Sequence, residues 1–228
     1  ILIILKGMVM DKKRVGFLDE VRGFAIICMV VYHGAFLLKS NFGVNVPIFF
    51  EDWFDIIRDV FAGTFIFIAG ITCQYSRNNM KRGIQCFFIA MGITYFTSLP
   101  FPDFTIMFGI LHFMGISMMV YGIGERVFNF FPSLIGIIGN GILFIATLNI
   151  RTRAFGFFDV FSIKVPDFLY EGGLLFPLGF PSYGFKSSDY FPLLPWIFLF
   201  LCGTYFGNYV KSGLMPKFFY YTRIPALA

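Results

Sequence analysis

An aspartate, an arginine and a histidine share one face of an apolar, helix-length segment near the start of this chain. Phe17 to Leu38 reads FLDEVRGFAIICMVVYHGAFLL, and Asp19, Arg22, Ile26, Met29 and His33 follow at steps of three and four residues, which stacks them on one side of a helix. A charge at bilayer depth costs roughly 2.5–3.5 kcal/mol or more, so such a stripe needs polar partners or a purpose. From Arg22 to His33 the rise is roughly 16 Å with a net rotation of about 20°. That length is comparable to an extended pantetheine arm, which points to an acyl-coenzyme A whose phosphate meets Arg22 and whose thioester approaches His33.

The second histidine, His112, stands in FGILHFMGISMMVYG, and Asp55, Arg58 and Asp59 open WFDIIRDVFAG at pairing distance along a helix. Imidazole, carboxylate and guanidinium together make an acid/base set. Arg77, Lys81, Arg82 and Arg126 form a basic group with Arg22, and guanidinium binds phosphate bidentately. Each feature has a structural alternative. A membrane histidine can simply hydrogen-bond across helices, carboxylates are favoured at helix starts, and basic residues mark membrane topology.

The elements that must position these groups are membrane spans. The chain has 228 residues, 57% hydrophobic and 14% charged, with a mean hydropathy of +0.77, well short of the roughly 25% charged residues of a soluble domain. The +5 net charge comes from short clusters between apolar runs rather than a continuous stripe, which reads as topology and not as nucleic-acid binding. Cys28, Cys73, Cys86 and Cys202 lie in apolar segments without metal-ligand spacing, so packing thiols and no metal are expected.

Six segments reach or approach the ~20 residues of a spanning helix: 16 to 38, 53 to 75, 83 to 99, 105 to 127, 132 to 149 and 191 to 210. Lys12, Lys13 and Arg14, then Arg77, Lys81 and Arg82, then Arg126, then Lys211, Lys217 and Arg223 fall on one side; Lys39, Glu51, Asp52 and Asp103 fall on the other. The positive-inside rule puts the N-terminus in the cytoplasm. His33 and His112 then sit at a common depth, roughly 8 and 10 Å inside the outer surface. The 150 to 190 segment is a long outer loop, and a loop of that length usually covers or builds a site. Residues 1–15 read as a cytoplasmic N-terminal segment and 16–228 as a single transmembrane domain. Ile224-Pro-Ala-Leu-Ala228 begins a further apolar run, so a C-terminal truncation is expected.

Several segments resemble one family. VGFLDEVRGFAIICMVVYHGA resembles the first span of bacterial membrane proteins related to the catalytic domain of heparan-alpha-glucosaminide N-acetyltransferase, and Arg22-x10-His33 resembles the Arg-x10-His motif of the wider membrane acyltransferase superfamily. Asp59 to Ser76 is similar to the family's second span at Asp59, Phe65, Phe67, Ile68, Gly70 and Ser76. FGILHFMG matches its fourth-span pattern at Gly109, Leu111 and Gly115, and Ser187 to Gly207, SSDYFPLLPWIFLFLCGTYFG, is similar to its S-x-DYFPLLPW segment. The resemblance implies acyl transfer, usually of acetyl, from cytoplasmic acyl-CoA to an acceptor across the membrane, and it supports Asp19, Arg22, His33, Asp59 and Asp189. One departure stands out. The lysosomal enzyme uses a histidine in the loop after its first span, and Lys39 to Asp52 holds none.

The expectation is therefore an all-α polytopic membrane acyltransferase of the bacterial plasma membrane, using acetyl-CoA or another acyl-CoA and a sugar-containing acceptor. His33 is the expected base, with His112 assisting, Asp59 or Asp189 orienting an imidazole, and Arg22, Asp19, Arg77 and Arg82 around the coenzyme. The competing class is a transporter or channel passing protons or anions along the same ionisable residues; paired broken helices and repeats, which transporters often carry, do not stand out in this sequence.

Overall fold

The computed structural model describes residues 15–44, 52–99, 105–157, 160–213, 216 and 224. The basic Lys12, Lys13 and Arg14, the acidic Glu51 and Asp103, and Lys217 and Arg223 lie outside the described residues. The chain forms two compact units, one of residues 1–65 with 214–228 and one of residues 66–213.

In the first unit α1 (Gly16–Phe42) is the long ionic-striped helix. Asp19 occupies its first turn and Lys39 its last, each the charge the helix dipole favours at that end. Gly43 closes it with φ +64°, and Gly43 and Val44 donate back to the Lys39 and Leu38 carbonyls, a stop that needs the left-handed conformation glycine adopts freely. α2 (Asp52–Cys73) contributes its first part here. Phe24 meets Phe61 edge to face at 5.7 Å and Tyr32 stacks on Phe54 at 6.0 Å.

The second unit holds the rest of α2 with α3 (Asn79–Ser98), α4 (Ile110–Phe128), α5 (Ser133–Thr147), β1 (Ala154–Phe157), β2 (Phe161–Lys164), the single-turn α6 (Phe168–Glu171) and α7 (Leu193–Lys211). Helices α3 and α4 run against each other and come closest where Gly83 meets Gly115. A Cβ on Gly83 would stand 2.7 Å from the Gly115 carbonyl, so the glycines set the close approach. α7 is buried on several sides through Phe200, Leu201, Thr204 and Tyr205, and Gly203 lies so near Phe67 of α2 that a Cβ would overlap its carbonyl at 2.1 Å. α5 packs on α7 and leaves Leu134, Ile135, Ile138, Ile142 and Leu143 exposed, the composition of a lipid-facing helix.

Helices occupy all six apolar segments. Among the described residues three stretches are long and apolar enough to cross a bilayer by themselves: Trp53–Cys73, Ser133–Thr152 and Leu193–Lys211. The protein is mostly helical and suited to a membrane. Boundaries shift for local reasons. α3 starts four residues before the expected 83 because the Asn78 side chain accepts the Lys81 amide at 2.8 Å, a cap. α4 starts at Ile110 rather than 105, because Thr105 and Phe108 instead accept from Ser188 and Phe191 at 3.2 and 3.0 Å.

The 150 to 190 segment is more structured than a loop. β1 and β2 form an antiparallel ribbon with Ala154 opposite Lys164, Phe155 opposite Ile163, Gly156 opposite Ser162 and Phe157 opposite Phe161. Behind it, Ile150, Val165 and Tyr170 make a small core with Leu169, Phe180 and Leu194, and the Tyr170 hydroxyl donates to the Ile150 carbonyl.

Candidate active site

In the first unit Arg22 pairs with Asp19 at 3.0 Å, with side-chain exposures of 37% and 16%. Arg22 is therefore half-open, and a guanidinium carries five donors, more than one carboxylate contact uses. His33, eleven residues on, is partly buried and meets the Tyr32 ring edge-on at 5.6 Å. Among the described residues His33 makes no hydrogen bond or ion pair.

Arg58 is engaged on every guanidinium nitrogen. Its Nε and Nη2 both reach Asp59 Oδ1, at 3.0 and 2.9 Å, while Nη1 donates to Asp55 at 2.8 Å and to the Tyr32 hydroxyl at 3.2 Å. The i,i+3 pair expected in WFDIIRDV, Asp55 with Arg58, is present, and Asp59 joins it as the sequence neighbour of Arg58 rather than through i,i+4 spacing. Asp59 holds an arginine here, not an imidazole. Beside this group lies a cleft of about 210 Å³, lined by Cys28, Met29, Tyr32, Phe54, Arg58 and Phe61 among others, several times the share of one water and walled mainly by carbon. Glu20, which the sequence reading passed over, is 7% exposed and accepts the Ile224 amide at 2.5 Å.

In the second unit His112 sits in the first turn of α4, 3% exposed. Its Nδ1 accepts the Gly109 amide at 3.3 Å, and its Nε2 lies 3.2 Å from Thr94 Oγ1. The Thr94 hydroxyl spends its proton on the Ile106 carbonyl at 2.5 Å, so toward the ring it accepts. A neutral His112 is consequently protonated on Nε2. Both nitrogens are occupied, and the ring is packed against Phe108 and Phe87 at 5.6 and 5.9 Å.

Asp189 meets the same helix start from the far side of the sequence. Its Oδ2 accepts the Ile110 amide at 2.9 Å, and Ser187 Oγ takes the Met107 amide at 3.1 Å while donating to the Asp189 carbonyl at 2.6 Å. A carboxylate here satisfies an orphan amide and the helix dipole together. Gly109 permits the approach, since a Cβ would sit 2.3 Å from Asp189 Oδ2. Tyr190 continues the seam. Its hydroxyl donates to Phe176 at 2.6 Å, its ring lies 4.9 Å beneath the Arg151 guanidinium, and burial pushes the phenol up to about 12, against the opposing pull of Arg151.

The coenzyme candidates Arg77 and Arg82 are both exposed, as are Lys81 and Arg126. Lys81 and Arg82 stand in the first turn of α3 and Arg126 in the last turn of α4, and Gly122 packs directly on Met80, so these cations gather at one end of the α3–α4 pair. That is a suitable surface for phosphate. Among the described residues no group of three or more His, Cys, Asp or Glu gathers to hold a metal ion.

Comparison with known proteins gives one family. The family described as heparan-alpha-glucosaminide N-acetyltransferase, catalytic, matches residues 14–227. No curated protein and no solved structure matches the chain.

Proposed function

This chain belongs to the heparan-alpha-glucosaminide N-acetyltransferase catalytic family, and from that membership we propose that it moves an acyl group, acetyl in the simplest case, from cytoplasmic acyl-CoA to a sugar-containing acceptor on the other side of the membrane. In this reading all six long helices span, the N-terminus is cytoplasmic, and the 150 to 190 segment faces outward. The observation that carries the proposal is the family match over nearly the whole chain. Acetyl transfer is the chemistry the family's description names.

Each chemical role then falls to a group suited to it. Arg22, steadied by Asp19 at 3.0 Å, is assigned to the anionic end of the donor, which supplies an activated thioester carbonyl; in the second unit the exposed Arg77 and Arg82 are the further candidates for donor phosphate. His33, which makes no hydrogen bond or ion pair among the described residues, is the imidazole assigned to take the proton of the attacking hydroxyl or amine. Asp59 acts through Arg58 and Tyr32 on the helix turn that carries His33. Asp189 and His112 fix the start of α4.

The test is donor binding and turnover by the purified protein. Calorimetric titration with acetyl-CoA should give saturable heat, and free thiol should appear when simple amino sugars or glycosides are added. Absence of acetyl-CoA binding in a folded, monodisperse preparation would sink the proposal and leave the transporter class in front.

A further inference from the structure

The β1–β2 ribbon separates its residues by face in a way that nothing in acyl transfer requires. Side chains alternate along a strand and directly paired residues share a face, so the register puts Phe155, Ile163, Phe157 and Phe161 together on one side. All four are exposed, at 36%, 51%, 39% and 57%, and Val160 between the strands is 90% exposed. The opposite side carries Ala154, Gly156, Ser162 and Lys164, with Gly156 buried. An isolated two-stranded ribbon is at best marginal in water. This one offers water its most apolar face.

Two observations say what covers that face. β1 packs on α5, whose stretch Ser133–Thr152 is long and apolar enough to cross a bilayer while only 22% of it is buried. The ribbon thus follows directly on the end of a lipid-facing span and packs on it. The root of the ribbon is also basic. Arg151, Arg153 and Lys164 are exposed there, with Asp167 bonded to Arg153 at 2.9 Å and to Lys164 at 2.7 Å, so cations outnumber the carboxylate where phospholipid phosphates lie. Aromatic side chains beside cations at the end of a span is the composition of a membrane interface.

We propose that the β1–β2 ribbon is an interfacial anchor, lying on the leaflet at the C-terminal end of α5 with Phe155, Phe157, Phe161 and Ile163 in the headgroup–acyl boundary and Arg151, Arg153 and Lys164 among the phosphates. The inference rests on the ribbon and α5 alone. It stands or falls apart from the acyltransferase reading.

Single tryptophans test it in the full chain. In a background with Trp53→Phe and Trp196→Phe, Phe161→Trp reports the apolar face and Ser162→Trp the opposite one; Phe155→Trp serves as a second reporter should Phe161→Trp fail to fold. The proteins are reconstituted in phosphatidylcholine–phosphatidylglycerol vesicles with and without lipid brominated near the top of its acyl chains. The expected result is blue-shifted emission from position 161 or 155 that brominated lipid quenches and acrylamide does not, with red-shifted, acrylamide-quenched emission from position 162. Red-shifted, acrylamide-quenched emission from the apolar face would overturn the anchor. So would blue-shifted emission untouched by brominated lipid, which would mean that protein, a second copy or another partner, covers the face.

Discussion

The Asp189 carboxylate accepts the Ile110 amide at 2.9 Å across 79 residues of chain, and by doing so it decides where α4 begins. The turn it caps is the turn that carries His112, so a residue of the S-x-DYFPLLPW segment shapes the surroundings of a histidine it need not touch.

Removing that cap should loosen α4 before it affects any chemistry. Asp189→Ala is expected to destabilise the protein by about 0.5–2 kcal/mol, the usual cost of losing a helix cap, with Asp189→Asn recovering part. Gly109→Ala should be at least as damaging, because its Cβ would stand 2.3 Å from Asp189 Oδ2. Thermal unfolding in detergent measures both. Unchanged midpoints for Asp189→Ala and Gly109→Ala would remove the cap from the account.

The Asp167 cluster predicts a pH dependence at the root of the ribbon. A hydrogen bond from Lys164, and then the charges of Lys164 and Arg153, hold the Asp167 carboxyl below its ordinary range. A carboxyl whose folded pKa is depressed adds stability above its unfolded value, about 3.9, and loses it as pH falls through the folded value. Asp167→Asn should therefore speed hydrogen exchange of the Val165 amide, which donates to Arg153 at 2.8 Å, at pH 7. The difference from the parent should close on acidification below about 4. Because these groups are exposed the effect is small, and local exchange rather than global melting is the sensitive measurement.

Much of the helical frame was legible because hydropathy and charge spacing are local signals. The Asp19–Arg22 and Asp55–Arg58 pairings, both i,i+3, follow directly from helical geometry and are present; the Arg58–Asp59 contact, between sequence neighbours, does not follow from it. What escaped depends on contacts between distant segments. Thr94 becomes the partner of His112 only through the close approach of α3 and α4, in which Gly83 meets Gly115, and no property of Thr94 itself announces that. The ribbon was missed for another reason. AFGF and FSIK alternate large and small or polar residues at the period of a strand, but the aromatic content of 150 to 190 reads as apolar loop until the alternation is counted. Glu20 was overlooked because its neighbours Asp19 and Arg22 fit the helical stripe and it does not.

Topology can be read at Tyr183, which is 100% exposed. With Cys28, Cys73, Cys86 and Cys202 replaced, a Tyr183→Cys protein in right-side-out vesicles should react with a membrane-impermeant maleimide. Labelling only after the inner face is opened would invert the orientation and put the N-terminus outside.

For the donor site, Arg22→Ala should weaken acetyl-CoA binding; because it takes this partner from the Asp19 carboxylate, which is 16% exposed, the double variant Asp19→Asn/Arg22→Ala serves as the folded comparison. Arg22→Lys should restore only part of the affinity, because an ammonium lacks the planar bidentate fork. Titration calorimetry separates the cases. Undiminished affinity in a folded Arg22→Ala protein would return this pair to a topological role.

The two histidines should divide cleanly between chemistry and architecture. His33 shares a face with Arg22 and makes no hydrogen bond among the described residues, whereas His112 commits Nδ1 to Gly109 and Nε2 to Thr94 and would have to break its own helix start to move a proton. General acid–base groups contribute about 10²–10⁴-fold to rate, so His33→Ala should lower kcat on that scale with acetyl-CoA affinity retained. His112→Ala should instead lower the unfolding temperature and change kcat less, and Thr94→Val, which removes the acceptor for the Nε2 proton, should reproduce the weaker stability. Turnover lost in a folded His112→Ala protein but kept in His33→Ala would reverse the assignment. Turnover kept in both would detach the ionic stripe of α1 from catalysis, and a pathway for protons or anions along Asp19, Arg22 and His33 would become the better account of the charges on this apolar helix.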